Sequence, residues 1–144
     1  NATLVILNPR SDSKFDSSCF IQAPAGQPAL LVDGSLRIEI RASDVSESVS
    51  GNLNPPGSAY FGVSDSDTAD SYPSMIEGLV FVTGNLSITG ASDVTVEGVV
   101  LVGGALLIDS RLNVRHRSPE TPIEGFREVT GFALDPNSVE RVVD

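Results

Sequence analysis

Asp65, Asp67 and Asp70 fall within one short run, Ser64-Asp65-Ser66-Asp67-Thr68-Ala69-Asp70-Ser71. Hard cations such as calcium take carboxylate oxygens as ligands, so these three are the candidate metal ligands of the chain. Their spacing opens like an EF-hand calcium loop and then departs from it. The sixth position is Asp70 where such a loop needs glycine, and the twelfth is Ile76 where it needs glutamate. The linear pattern therefore predicts a solvated acidic loop that binds calcium weakly or not at all, with no cofactor.

The other residues able to do chemistry are scattered. Glu77 and Glu97 recur 20 residues apart, each followed by glycine. Stacked on neighbouring strands, their Cα atoms would lie about 4.8 Å apart. Working together, they would be an acid/base pair or a cation clamp; at a corner, they are two solvated glutamates, which is the expected reading. Glycoside hydrolysis needs two carboxyl groups facing one cleft. Asp93 and Asn113 align at a turn instead, and Asp109 has no stacked acidic partner. His116, the only histidine, is flanked by Arg115 and Arg117. Cys19 is the only cysteine, so it has no internal disulfide partner and reads as a small buried hydrophobe. One cysteine and one histidine are too few for a zinc site. Gly103-Gly104 lacks a following Gly-Lys-Ser or Gly-Lys-Thr and is a turn, not a phosphate loop. No catalytic residues emerge, and the chain is not expected to be an enzyme.

Composition narrows the setting. The 144 residues suffice for one domain, and 40% hydrophobic with only 19% charged residues suits a strand- and loop-rich chain. A formal charge of −10, with Lys14 the only lysine, repels phosphate backbones and disfavours nucleic acid as a partner. No apolar run is long enough to insert in a membrane. The chain opens on Asn1, so it reads as a piece of a longer protein with a signal or anchor upstream.

The elements that must position these residues are written in a repeat. Residues 76–95 and 96–115 share eight identities: Glu, Gly, Val, Val, Gly, Leu, Ile and Val. A partial earlier copy is Gly34-Ser35-Leu36-Arg37-Ile38, matching Gly84-Asn85-Leu86-Ser87-Ile88. A second is Ala42-Ser43-Asp44-Val45, matching Ala91-Ser92-Asp93-Val94. Short alternating apolar runs broken by Gly, Asn, Ser and Asp are strands and turns. Such strands cannot each bury a face alone, and stacking equivalent strands in parallel solves this. The expected fold is all-β: a short right-handed parallel β-helix with coils of about 20 residues. Val80, Val82, Leu86, Ile88 and Val94 should sit beside Val100, Val102, Leu106, Ile108 and Val114. Gly84 and Gly104 should share a corner with positive φ. Residues 1–45 hold the first coils, 46–74 a loop insertion with a hairpin near Ala59–Val63, and 75–117 two regular coils. Residues 118–144 form a packing tail with a short helix over 135–143. All belong to a single domain, 1–144.

Alternation makes a further expectation. If Val80, Val82, Val100 and Val102 point inward, then Leu79, Phe81, Val99 and Leu101 form an apolar outer patch. Such a patch needs cover. The expected cover is intramolecular, from the tail (Phe126, Phe132, Leu134) or the insertion (Tyr60, Phe61); otherwise it is a partner or a second copy. The basic residues Arg111, Arg115, His116 and Arg117 are expected to pair with local carboxylates.

Leu7-Asn8-Pro9, Ala29-Leu30-Leu31-Val32-Asp33-Gly34-Ser35-Leu36-Arg37-Ile38, and Ile76-Glu77-Gly78 with its copy Val96-Glu97-Gly98 carry a resemblance. The pattern is similar to β-helix domains of TadE/TadG-like and PilX-like pilus-assembly envelope proteins. Bactofilins share the Gly-x-Leu flavour with shorter, more regular repeats. The resemblance implies an extracytoplasmic location, in the periplasm or at the cell surface. It also implies a structural or interaction role within an envelope-anchored protein, and supplies no catalytic residues. Two other functions are open: glycan binding or degradation, and a calcium module built on residues 65–70. The absence of Trp, with Tyr60 and Tyr72 both in the insertion, weighs against a sugar platform.

Overall fold

The computed structural model of the chain describes residues 2–11, 13–40, 44–60, 62–90, 94–117 and 123. These residues are mostly strand. In chain order they are β1 (Leu4–Leu7), β2 (Lys14–Phe15), β3 (Phe20–Gln22), β4 (Leu30–Asp33), β5 (Leu36–Ile40) and β6 (Asp44–Ser46). There follow a single helical turn α1 (Glu47–Ser50), β7 (Ser71–Pro73), β8 (Met75–Val82), β9 (Leu86–Gly90), β10 (Val94–Val102), β11 (Leu106–Ile108) and β12 (Leu112–Arg115). The expected helix over 135–143 lies outside the described residues. Among the described residues no helix is long and apolar enough to cross a membrane.

Two open sheets of parallel strands carry the fold. One runs β1-β4-β8-β10-β12, with β3 also on β8; the other runs β11-β9-β5-β2. β8 pairs with β3 through Met75, Ile76 and Glu77, and with β4 through Val80, Phe81 and Val82. It therefore belongs to two successive strips of its sheet. β10 lies on β8 with every residue beside the one 20 positions earlier, from Thr95 on Met75 to Val102 on Val82. Leu106 and Ile108 lie on Leu86 and Ile88, which lie on Leu36 and Ile38.

Alternation sets the faces. In β5, Leu36, Ile38 and Ile40 are buried while Arg37 and Glu39 point away. The core is a set of columns: Leu30 with Val80, Val32 with Val82, Leu36 with Leu86, Ile38 with Ile88, and Ile76 with Val96. Each such side chain contributes about 1.5–3 kcal/mol when fully buried.

Three expectations are corrected. Val94 pairs with Leu112, and it is Val96 that lies on Val114. β11 has three residues where β9 has five, so the chain reaches β12 two residues early. Asp44-Val45 does not stack on the position of Val94. β6 turns away and pairs antiparallel with β7, Val45 on Tyr72, closing a neck for the insertion. Gly84 and Gly104 do share a corner, with Gly84 N–H donating to Gly34 O and Gly104 N–H to Gly84 O, but neither has positive φ. Close approach keeps them small: a Cβ on Gly84 would lie 2.7 Å from the Gly34 carbonyl. In that corner it is Gly34 that has positive φ, and Gly78 and Gly98, at the bends of β8 and β10, have it as well.

Candidate functional site

The insertion gathers carboxylates that are far apart in sequence. One carboxylate oxygen each from Glu47, Asp65 and Asp70 lies within 4.8 Å of the others. Asp65 and Asp70, two of the three loop aspartates, are in this group. Asp67 is exposed and outside the group; its Oδ1 accepts from the Ala69 N–H at 2.9 Å. Glu47 is the member that linear spacing missed, since it sits 18 residues before Asp65. Its signal was a glutamate among small residues after a strand, which spacing rules do not score.

The neck positions the group. Glu47 is 1% exposed although charged. Its Oε1 accepts from Leu53 N–H at 2.7 Å and its Oε2 from Asp70 N–H at 3.3 Å. Its own N–H donates to Asp70 O at 3.0 Å, beside the β6–β7 pairing. Asp70 Oδ2 accepts from Tyr72 Oη at 3.0 Å and from Asn54 Nδ2 at 3.2 Å. Asp65 N–H donates to Asn54 O, and Asn52 Nδ2 donates to Asp65 O. Among the described residues no lysine or arginine pairs with these three carboxylates. Asn54 is fully buried, and its Oδ1 has no hydrogen-bond partner. An unmatched buried acceptor costs about 1–3 kcal/mol.

Tyr72 registers this environment. Burial is the largest influence, followed by its bond to Asp70 and the charges of Asp70, Glu47 and Asp65, and together they push its pKa up to about 12. Tyr60, whose ring meets that of Tyr72 edge-on at 4.8 Å, is raised as well, first by burial and then by Glu77 and Glu97. Above about pH 10 an unfolded tyrosine ionises while the folded one keeps its proton. Stability from Tyr72 is therefore complete below about pH 10, falls as pH rises through 12, and levels off beyond. The chain has two tyrosines and no tryptophan, so phenolate absorbance reads both directly. Neither is expected to titrate in the ordinary tyrosine range while the chain is folded. A single midpoint at the free-tyrosine value would contradict this arrangement.

Elsewhere, titratable groups are separately partnered or far from one another. Glu77 and Glu97 lie side by side in register, but each has its own partner. Arg117 Nη1 reaches Glu77 Oε1 at 2.6 Å, Gln22 Nε2 donates to Glu77 Oε2 at 3.0 Å, and Arg115 Nη1 reaches Glu97 Oε1 at 3.3 Å. Cys19 is half-buried, and burial pushes its thiol pKa up; Ser74 partly opposes this. Its column runs through Ser74 and Val94 to Leu112, three strand spacings of about 4.8 Å each, so it does not meet the exposed His116. Asp93 lies outside the described residues. A groove of about 390 Å³ between β1, β3 and the insertion is lined by Thr3, Phe20, Gln22, Leu53 and Tyr60, with no carboxylate or basic side chain among the described residues that line it.

The outer patch is graded. Leu79 is buried, Phe81 and Val99 are half-buried, and Leu101 is 40% exposed. Phe81 sits between Leu31 and Leu101, and Leu31 lies on Val5, so one apolar column runs through β1, β4, β8 and β10. Tyr60 packs on Phe20 and donates to Met75 Sδ at 3.2 Å, on the neighbouring strip. Phe61, Phe126, Phe132 and Leu134 lie outside the described residues.

The last strands expose core columns. Leu86 is 1% exposed and Leu106, beside it, 42%; Ile88 is 0% and Ile108 47%; Val96 is 2% and Val114 48%. Among the described residues β11 and β12 each end a sheet.

The fold and this geometry define an all-β protein of stacked parallel strands. No family model, curated protein or solved structure matches the chain.

Proposed function

We propose that the chain is a non-catalytic structural and interaction domain, a short right-handed parallel β-helix with coils of about 20 residues. Its open end docks a second copy of itself. The observation that carries this reading is the half-exposed state of Leu106, Ile108 and Val114, which occupy the same columns as the buried Leu86, Ile88 and Val96. The opposite end offers the matching set. Phe15, Leu4 and Ile21 head the columns that finish in Ile108, Val100 and Val114. A second copy stacked head to tail continues these columns and pairs the strands that end the sheets among the described residues, in the manner of strand addition. Such a contact is heterologous and open-ended.

Non-catalytic character is supported by the separation of Cys19 from His116 and by the ion pairs that occupy Glu77 and Glu97. The motif resemblance supports placing the domain outside the cytoplasm, within a larger envelope-anchored, pilus-assembly-related protein.

Sedimentation velocity tests the docking. The expected result is concentration-dependent association that strengthens with salt, because the −10 charge opposes contact between copies and salt screens it. Ile108→Asp should abolish association with little effect on the fold. A monomer at every concentration and salt level would mean that the end is covered within the chain.

A further inference from the structure

We propose that Glu47, Asp65, Asp70 and the buried amide of Asn54 form a calcium site that clips the insertion closed. Oxygens in a calcium shell lie about 2.3–2.6 Å from the ion, so opposed ligands stand about 5 Å apart. The three carboxylates, within 4.8 Å of one another, span one such shell. Among the described residues no basic side chain balances them.

Asn54 supplies the independent observation. Its side chain is 0% exposed, and its Nδ2 stands 3.2 Å from Asp70 Oδ2. Its Oδ1, on the same planar amide, has no partner. A half-turn of that amide exchanges the two atoms, giving up the Nδ2 bond to Asp70 and presenting the oxygen to the group that Asp70 belongs to. A cation bound by the carboxylates then gives the oxygen its partner. Four oxygen donors from one neck, with water completing the shell, suit calcium better than magnesium, which demands a tighter octahedron. The site joins α1 to the residues just before β7, so occupancy would hold both ends of the 46–74 segment.

The test uses the 144-residue chain stripped with a chelator and titrated with calcium chloride at constant ionic strength. Calorimetry should show one saturable site, with a rise in melting temperature. At ten times the dissociation constant the folding constant should rise about elevenfold. Asp65→Asn, a half-buried position, should weaken calcium affinity at least about tenfold, the scale of one lost charged ligand. Asp67→Ala should leave it unchanged. Proteolysis within 55–69 should slow with calcium. Absence of both heat and thermal shift in the parent chain would overturn the proposal, whatever the variants do. So would a shift that persists in full in Asp65→Asn, or an equal response to magnesium.

Discussion

Gly98→Val is expected to cost the domain a large share of its stability. A Cβ at position 98 would run into the Gly78 carbonyl oxygen, which belongs to the paired strand and cannot step aside. Gly98 also has φ +154, and Gly78 beside it has φ +128 with Ala23 Cβ 2.6 Å from where its own Cβ would be. Overpacking and backbone strain each cost about 1–3 kcal/mol, so the pair amounts to about 2–6 kcal/mol. Whole domains hold only about 5–15 kcal/mol. Gly57→Ala is the comparison: φ is +89 but no atom lies within 4 Å, so the left-handed backbone alone costs about 1–2 kcal/mol. Denaturant melts of the two variants check this. Equal losses would show that stacking closeness at Gly78 and Gly98 is not what demands glycine.

The second large effect compares two isoleucines of one column. Ile88→Ala removes a fully buried side chain from between Ile38 and Ile108 and should cost about 2–5 kcal/mol. Ile108→Ala, already 47% exposed, should cost about 1 kcal/mol in the monomer. If the two were equal, Ile108 would be covered in solution, and the end of the column would not be free to dock.

How much was legible in the sequence follows from what repeats report. Glu-Gly and Gly-x-Leu-x-Ile at a spacing of 20 foretold that Val80 meets Val100 and Ile88 meets Ile108, because stacked strands impose equal spacing on equal roles. Val94 and Val114 were mispaired because β11 ends two residues sooner than β9, and residue identity carries no record of where a strand ends. The likeness of Ser43-Asp44-Val45 to Ser92-Asp93-Val94 misled for another reason. A turn signal looks the same whether the chain goes on stacking or leaves for an insertion, and β6 leaves. Asp65 and Asp70 were found by proximity in sequence. Glu47 and Asn54 were not, because the antiparallel β6–β7 neck, which has no repeat to announce it, is what brings position 47 to position 70.

The head-to-tail contact is tested most directly by cysteine pairing across it. Lys14, Arg37, Ser87 and Leu107 form one column, so continued stacking puts Leu107 of one copy beside Lys14 of the next. Neighbouring strands lie about 4.8 Å apart, within the Cα range of a disulfide, about 4.4–6.8 Å. Lys14→Cys and Leu107→Cys chains, mixed in a Cys19→Ser background and oxidised mildly, should give mixed dimers that fade when Ile108→Asp is added to the Leu107→Cys chain. Dimers joining only Leu107→Cys to itself, or no cross-linking above that of unmixed controls, would contradict the head-to-tail contact.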